Sequence, residues 1–140
     1  MVPSRPRPCA TQANARQAVV LVVEDEILIR AAVAEYLRIS GYTVVEAADA
    51  AEAIAVFVSS EPIDVAMCDV DMPGTMDGLS LARWINHNHG SLPVLLTSGR
   101  RVVLAAGEKL DCSFISKPFR LGELAERIRS MLAIKGCGVE

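Results

Sequence analysis

Hydrophobic positions along the chain fall into two alternating patterns from residue 18 onward. Short continuous apolar runs are typical of strands buried on both faces, and apolar residues three or four positions apart are typical of helices. Such runs predict five strands, at Val19–Val23, Thr43–Glu46, Asp64–Cys68, Val94–Thr97 and Cys112–Ser116. Helical spacing follows each run, which predicts an α/β fold in which right-handed crossovers join parallel strands and helices cover both faces of the sheet.

Five helices are predicted from their apolar positions and from the glycines and prolines that end them. Four have a clear apolar side, formed by Ile27, Ala31, Val33, Ala34 and Leu37 before Gly41; by Ala53, Ile54 and Phe57 within about Ala50–Ser59; by Leu81, Ala82 and Ile85 within about Leu79–Asn88; and by Leu121, Leu124, Ile128 and Leu132 in a last helix that runs to about Ile134. A weaker helix is predicted at Arg100–Leu110, where Gly107 costs about 1 kcal/mol relative to alanine. We expect this fourth helix to be short or mobile.

Length and composition predict a single domain. The chain has 140 residues, of which 51% are apolar and only 4% aromatic, so the core consists mainly of aliphatic side chains. No apolar run approaches the roughly 20 residues of a membrane span. Residues 1–17 contain three arginines, three prolines and no acidic residue, and they have no apolar core of a secretory signal. We expect a disordered basic tail at 1–17, a domain at 18–135 and a short C-terminal tail at 136–140.

Charge and cysteine usage narrow the possible functions. Three of the 14 basic side chains lie in residues 1–17, which leaves 11 against 17 acidic ones and a net charge of about −6 for residues 18–140. A body this acidic is a poor binder of duplex nucleic acid, because basic side chains supply most of that affinity. The cysteines show no metal-binding spacing, which favours reduced thiols in the cytoplasm, and two of them fall inside predicted strands (Cys9, Cys68, Cys112 and Cys137).

Polar residues follow the ends of the predicted strands. Taken alone, Asp69 has two interpretations, a functional carboxylate or a cap of the following loop. In a parallel sheet, however, all carboxyl ends of the strands share one edge, which is where open α/β sheets carry their chemistry. That edge collects Glu24, Asp25, Asp69, Asp71, Thr97 and Lys117.

Three carboxylates at one edge repel one another unless a proton or a cation neutralises them. Hard oxygen ligands at this density suit Mg²⁺, which also polarises phosphoryl groups. Asp69, at the end of its strand, is then the expected nucleophile for an aspartyl-phosphate. Lys117 and Thr97 would supply an ammonium and a hydroxyl to the phosphoryl oxygens, which is most of what phosphoryl transfer requires.

The combined set of residues resembles the receiver (CheY-like) domain of two-component response regulators. The resemblance covers about residues 18–135 and is carried by Glu24-Asp25, Asp69, Met72-Pro73, Asp77-Gly78, Thr97 and Lys117-Pro118. It implies a flavodoxin-like, doubly wound sheet of five parallel strands in the order 2-1-3-4-5. It also implies a cis peptide bond between Lys117 and Pro118.

The resemblance further implies a domain that accepts a phosphoryl group on Asp69. Since no output domain is recognised in the sequence, we expect a stand-alone regulator, with a phosphate sink or shuttle, or one half of a truncated protein, as alternatives. The donor would be a phosphohistidine on a histidine kinase or a histidine phosphotransfer protein. Only phosphotransfer and autodephosphorylation would be self-catalysed, so the chain would be a signalling domain rather than an enzyme. Mg²⁺ would bind Asp25, Asp69 and the backbone carbonyl of Asp71 directly, and Glu24 through water.

A conformational switch is implied as well. Thr97 would move toward the phosphoryl group and Phe114 would swing inward behind it. The alternative for Phe114 is an ordinary strand residue packed under the last helix. The implied surface for an unknown downstream protein is the face of helix 4, strand 5 and helix 5. We expect a monomer or weak dimer that binds neither membranes nor nucleic acid directly.

Two segments depart from the family pattern. The loop from Pro73 to Gly78 is one residue longer than the commonest form, and the segment from Thr97 to Lys117 is slightly short. The side chain of Asp71 either faces solvent or lies near the water that would hydrolyse the phosphorylated form. Gly99 has no side chain to guide that water.

Two rival functions belong to other classes. Asp69, Asp71 and Thr75 loosely resemble the nucleophile motif of haloacid-dehalogenase-type phosphatases, but those enzymes need a later acidic pair, and no such pair follows Lys117. The second rival is an interaction domain that works without phosphorylation.

Some residues have two possible roles outside this site. His87 and His89 fit a solvated helix end better than a metal or phosphohistidine site. Trp84 fits partial core better than a binding platform, and Arg100-Arg101 fit a solvated surface or a contact with an acidic partner.

Overall fold

Five short strands form one parallel sheet in the computed structural model, which describes residues 17–137 and side chains up to residue 134. The strands are β1 (Val19–Val23), β2 (Thr43–Ala47), β3 (Val65–Asp69), β4 (Val94–Ser98) and β5 (Ser113–Ser116). Their order across the sheet is β2-β1-β3-β4-β5, and every pair is parallel, which confirms the predicted topology. The predicted tails lie almost wholly outside the described residues.

Four helices connect or follow these strands: α1 (Ile27–Ile39), α2 (Ala50–Val58), α3 (Gly78–Asn88) and α4 (Leu121–Cys137). Two of them begin at aspartates whose side chains accept a backbone N–H, Asp49 from Glu52 and Asp77 from Ser80. The first helix ends before Gly41, whose φ of +107° is readily adopted only by glycine. These three helix boundaries therefore follow local capping chemistry.

The core has two halves, one on each face of the sheet. Alternate strand residues point to opposite faces, so Leu21 and Val23 pack under α2 and α3 while Val20 and Val22 pack under α1 and α4. All four residues are fully buried. The predicted arrangement of helices on both faces is confirmed.

The predicted inner sides of three helices are confirmed and that of α1 is partly wrong. The predicted apolar residues of α2, α3 and α4 are all buried or partly buried against the sheet. In α1, Val33, Ala34 and Leu37 are buried, but Ile27 is 66% exposed and Ala31 is exposed too. Ile29, which lies between these two positions in the sequence, packs against the core instead.

The helix predicted at Arg100–Leu110 does not form. Residues 99–112 cross from β4 to β5 without regular structure, and Gly107 has a left-handed φ of +79°. Side chains satisfy some backbone groups that a helix would have paired: Glu108 accepts from Ala105, and Asn86 of α3 both accepts from and donates to the backbone of Asp111. Cys112 accordingly lies just before β5 rather than within it, and Cys68 and Cys112 are both free thiols.

An arginine from a neighbouring helix reaches each edge strand. Arg38 of α1 donates to the carbonyl oxygen of Val44 in β2 at 3.1 Å. Arg127 of α4 donates to the carbonyl oxygen of Phe114 in β5 at 2.8 Å. Both outer strands of the sheet are thus contacted by a cationic side chain.

Candidate functional site

The strand ends bring three carboxylates together. Asp69 ends β3 and pairs in register with Thr97 of β4, while Glu24 and Asp25 follow directly on the last residue of β1. Oxygen atoms of Glu24, Asp25 and Asp69 lie within 4.8 Å of one another. Asp25 is exposed, whereas Asp69 is 3% and Glu24 1% exposed.

This cluster is electrostatically strained without a cation. Burial, together with the neighbouring charge of Asp69, raises the pKa of Glu24 from 4.5 to about 7. A hydrogen bond from the backbone N–H of Glu26 to Glu24 Oε2, at 3.2 Å, opposes the rise only in part. The three carboxylates fit a divalent cation for two reasons. They offer hard oxygen ligands, and their negative charge is not fully neutralised by neighbouring cationic side chains.

Lys117 supplies positive charge to the cluster from far along the chain. Its Nζ lies 3.2 Å from Asp69 Oδ2 and 3.4 Å from Glu24 Oε1. Partial burial lowers the pKa of Lys117, but the charges of Asp69 and Glu24 outweigh this and raise it overall. The backbone N–H of Lys117 donates to Ser98 at 2.8 Å, and the Lys117–Pro118 peptide bond is cis, as the resemblance implies.

Thr97 contributes a buried hydroxyl group that makes no hydrogen bond to the described residues. The residue is fully buried in β4, and its Oγ1 has no hydrogen-bond partner among the described residues. An unsatisfied buried hydroxyl is uncommon because leaving it unpaired costs free energy. Such an atom beside Asp69 is suited to an incoming acceptor oxygen.

Asp71 and Phe114 lie at the margin of the cluster. The Asp71 backbone N–H donates to Asp69 Oδ1 at 3.2 Å, while its carboxylate turns away to pair with Arg100. Phe114 is 40% exposed and borders a cavity of about 180 Å³ that Ser98 and Val102 also line. The structure thus places Phe114 beside an open space rather than in the carboxylate cluster.

Two further residues support the site, and the sequence motif contained only one of them. Arg30 of α1 donates to the backbone carbonyl of Glu24 at 2.9 Å and so fixes the loop that carries the first two carboxylates. Gly78 lets α3 begin against β3, because a Cβ there would lie 2.6 Å from the carbonyl carbon of Asp69. The Asp77-Gly78 pair was part of the motif, but no sequence signal pointed to Arg30, whose role depends on side-chain reach.

The two histidines and the tryptophan have the solvent exposure that the sequence predicted. His87 and His89 are exposed, and Trp84 is partly buried beside Phe57, whose ring stacks on His89 at 4.7 Å. Within residues 17–134, only Glu24, Asp25 and Asp69 group as possible metal ligands.

Comparisons with known proteins agree with this geometry. The sequence model described as "Response regulator receiver domain" matches residues 20–129. The chain belongs to the response regulator receiver domain family. Receiver domains are signalling domains of two-component systems rather than conventional enzymes.

Relatives and solved structures extend the similarity. The response regulator MprA of Mycobacterium ulcerans is 35% identical over 116 residues, covering 81% of this chain and 49% of that protein. The receiver domain of the hybrid histidine kinase CckA is 35% identical, with a TM-score of 0.70 over 82% of this chain and 99% of that one. A CheY-like receiver domain protein from Methanospirillum hungatei is 25% identical, with a TM-score of 0.75 over 86% and 97%.

The receiver domain accounts for only part of such relatives. The chain spans about half the length of the curated relatives it matches. Across the described residues, none of the helices has the length and apolar character needed to cross a bilayer.

Proposed function

We propose that this receiver domain accepts a phosphoryl group on Asp69 and switches a surface that binds a partner protein. The observation that carries the proposal is the position of Lys117 Nζ, 3.2 Å from Asp69 Oδ2 and beside the Glu24 carboxylate, although the lysine is far away in sequence. A carboxylate nucleophile with an adjacent ammonium is the arrangement that phosphoryl transfer needs.

In the proposed reaction, a carboxylate oxygen of Asp69 attacks the phosphorus of a phosphohistidine. The P–N bond breaks and the imidazole leaves with the bonding electron pair, so no redox partner is required. Lys117 holds one phosphoryl oxygen by charge, and the unpartnered Thr97 hydroxyl donates to another. Hydrolysis later returns inorganic phosphate and the free carboxylate of Asp69.

The proposed cofactor is Mg²⁺, which when bound polarises the phosphoryl group and offsets its charge. Asp25, Asp69 and the backbone carbonyl of Asp71 would be direct ligands, with Glu24 reached through water. The fit rests on the acidic cluster itself, since burial and Asp69 already raise the pKa of Glu24 to about 7.

The switch is proposed to couple Thr97 to Phe114. A hydrogen bond from the Thr97 hydroxyl to a phosphoryl oxygen would draw the end of β4 toward the phosphoryl group. The cavity beside Phe114 gives its ring space to move inward. The proposed partner surface is then residues 99–112 together with β5 and α4, since no helix forms between β4 and β5. The proposed phosphodonor is a histidine kinase or phosphotransfer protein, and the proposed compartment is the cytoplasm.

The phosphatase rival is less compatible with the geometry. A haloacid-dehalogenase-type mechanism would use Asp71 as the acid/base, but among the described residues the carboxylates that group with Asp69 are Glu24 and Asp25 and not Asp71. Glu24 and Asp25, which have no role in that motif, lie at the same site as Asp69.

The test is beryllofluoride binding in the presence of Mg²⁺, followed by NMR of the wild type and Asp69→Ala. Saturable shifts around Asp69, Thr97 and Lys117 are expected in the wild type and absent in the variant. Asp49→Ala is the matched control, because Asp49 only caps α2. After incubation with acetyl phosphate, each chain should carry at most one phosphoryl group; continuous turnover of a generic phosphomonoester would instead identify a phosphatase.

A further inference from the structure

Arg100 makes an ion pair with Asp71 at the edge of the proposed phosphoryl site. Its Nε lies 2.8 Å and its Nη2 2.6 Å from the same oxygen, Oδ1 of Asp71. A guanidinium has about five N–H donors, so this contact leaves several of them available. The side chains are 72% and 40% exposed, and exposed ion pairs contribute little to stability, so the pair can rearrange at low cost.

The pair joins the two loops that flank the proposed phosphoryl site. Asp71 follows Asp69 by two residues and donates its backbone N–H to Asp69 Oδ1 at 3.2 Å. Arg100 follows Thr97 by three residues, and Asp69 and Thr97 are partners in register. The Arg100 side chain therefore spans the mouth between the ends of β3 and β4.

The backbone of Arg100 is anchored, so its side chain is the part that is free to move. Ser98 Oγ donates to the Arg100 carbonyl at 2.8 Å and accepts its N–H at 3.1 Å. Ser98 is itself buried and accepts the backbone N–H of Lys117. At Gly99 the mouth has no side chain, and an added Cβ would make only an ordinary 4.0 Å contact with Lys117 Cβ.

We propose that Arg100 exchanges Asp71 for a phosphoryl oxygen when Asp69 is phosphorylated, and that this exchange lengthens the life of the phosphorylated form. The inference rests on the proposed function. A phosphoryl group brings about two negative charges and several strong acceptor oxygens to the site, and guanidinium binds such oxygens in a planar fork. Asp71, with one carboxylate charge, competes poorly against it.

The effect on lifetime follows from the geometry of hydrolysis. A water oxygen attacks phosphorus, the P–O bond to Asp69 breaks, and the Asp69 carboxylate and inorganic phosphate are released. The water must approach opposite Asp69, from the solvent side. Arg100 bound there occupies the approach that Gly99 leaves open, and Asp71 is released from the ion pair. Arg100 is thus a positioning residue for the phosphorylated state.

The experiment measures the lifetime of the phosphorylated chain after labelling with acetyl phosphate and Mg²⁺ and removal of the donor. Arg100→Ala should shorten the lifetime by about three- to tenfold, the loss of one charge-assisted contact. Arg120→Ala is the control, because Arg120 is an exposed arginine that makes no ion pair within residues 17–134 and lies outside the proposed partner surface. Its lifetime should stay within about twofold of the wild type. Arg100→Lys, which keeps the charge without the fork, should fall between.

A double-mutant cycle separates exchange from a static cover. Asp71→Asn weakens the competing contact and should lengthen the lifetime, and this gain should vanish when Arg100→Ala is also present. A shorter lifetime for Asp71→Asn, or equal lifetimes for Arg100→Ala and Arg120→Ala, overturns the exchange while leaving phosphorylation of Asp69 intact. A wild-type chain that takes up no label overturns the proposed function and this inference together.

Discussion

At the scale of single residues, Glu24 controls how the metal-free domain responds to pH. Its pKa is about 7 in the folded chain against an ordinary value of 4.5, because burial and Asp69 disfavour its charged form. Between these values the folded chain binds more protons than the unfolded chain, so folding stability is lost as pH rises from about 4.5 through 7.

The first prediction concerns this slope. Without metal, the Tm of the wild type should fall across that pH range relative to the Tm of Glu24→Gln, which cannot ionise. Thermal unfolding in a chelating buffer, followed by circular dichroism, measures the difference. Glu61→Gln is the control, because Glu61 is an exposed loop residue outside the cluster. Parallel slopes in all three proteins would show that Glu24 is not the titrating group.

A second prediction follows from competition between the proton and the metal. If Mg²⁺ binds the cluster, it must displace the proton on Glu24, so affinity should rise with pH up to about 7, by at most about tenfold per pH unit. Calorimetric titrations in buffers of different ionisation enthalpy measure the proton released. Glu24→Gln should show little pH dependence; a pH-independent affinity in the wild type would contradict the linkage.

How far the sequence predicts the site depends on which property of a residue matters. Strand ends in a parallel sheet share one edge, so Asp69, Thr97 and Lys117 could be placed together from sequence position alone. The contacts of Arg30 and Arg100 depend on where long side chains reach after folding. The raised pKa of Glu24 likewise depends on burial, which no local pattern reports.

At the scale of elements, α3 begins close against the end of β3, at Gly78. A Cβ at Gly78 would lie 2.6 Å from the carbonyl carbon of Asp69 and 2.8 Å from the Cα of Val70, so backbone would have to move. Gly78→Ala should therefore destabilise the fold by about 1–3 kcal/mol and weaken beryllofluoride binding.

The control for this change is Gly90→Ala, because Gly90 lies just after the C-terminal end of α3. At Gly90 a Cβ would meet only Asn86 O, at 3.5 Å, which is ordinary contact. Urea denaturation of Gly78→Ala and Gly90→Ala measures both effects. Equal stability of the two variants would mean that the approach of α3 is not tightly constrained.

The irregular segment of residues 99–112 is tied to α3 by side chains. Arg83 pairs with Glu108, and Asn86 makes two hydrogen bonds with the backbone of Asp111, at 2.8 and 3.2 Å. Asn86→Ala should speed amide exchange around Asp111 by roughly tenfold, the loss of about 1–2 kcal/mol of local protection. Asn88→Ala, whose amide donates to the Trp84 carbonyl in its own helix, should leave that exchange unchanged.

This segment also shows why the sequence misplaced a helix. Its apolar residues have no strong helical spacing, and the groups that hold it, Arg83 and Asn86, come from α3 rather than from the segment itself. Strands such as β1 were predictable because a continuous β-branched run is buried on both faces wherever it lies in the sheet. Residues 99–112 lack such a local determinant.

At the scale of the whole molecule, the two cores share the strands of one sheet. Because neither core can be lost without disrupting these strands, we predict a single cooperative unfolding transition. Leu124→Ala, in α4, should lower the free energy of unfolding by about 2–5 kcal/mol. It should also shift the urea transition reported by Trp84, which lies on the opposite face of the sheet. Leu81→Ala, beside Trp84, should shift it similarly, while Leu28→Ala is the control because Leu28 is 82% exposed. A Trp84 transition unmoved by Leu124→Ala would mean that the two faces unfold separately.

The two arginines at the outer strands bear on how copies of this domain can associate. Unpaired strand edges are templates on which another chain can add a strand. Because Arg38 contacts Val44 and Arg127 contacts Phe114, a neighbouring molecule would first have to displace an arginine at either edge. These two contacts therefore disfavour association by sheet extension, which is the route to fibril growth.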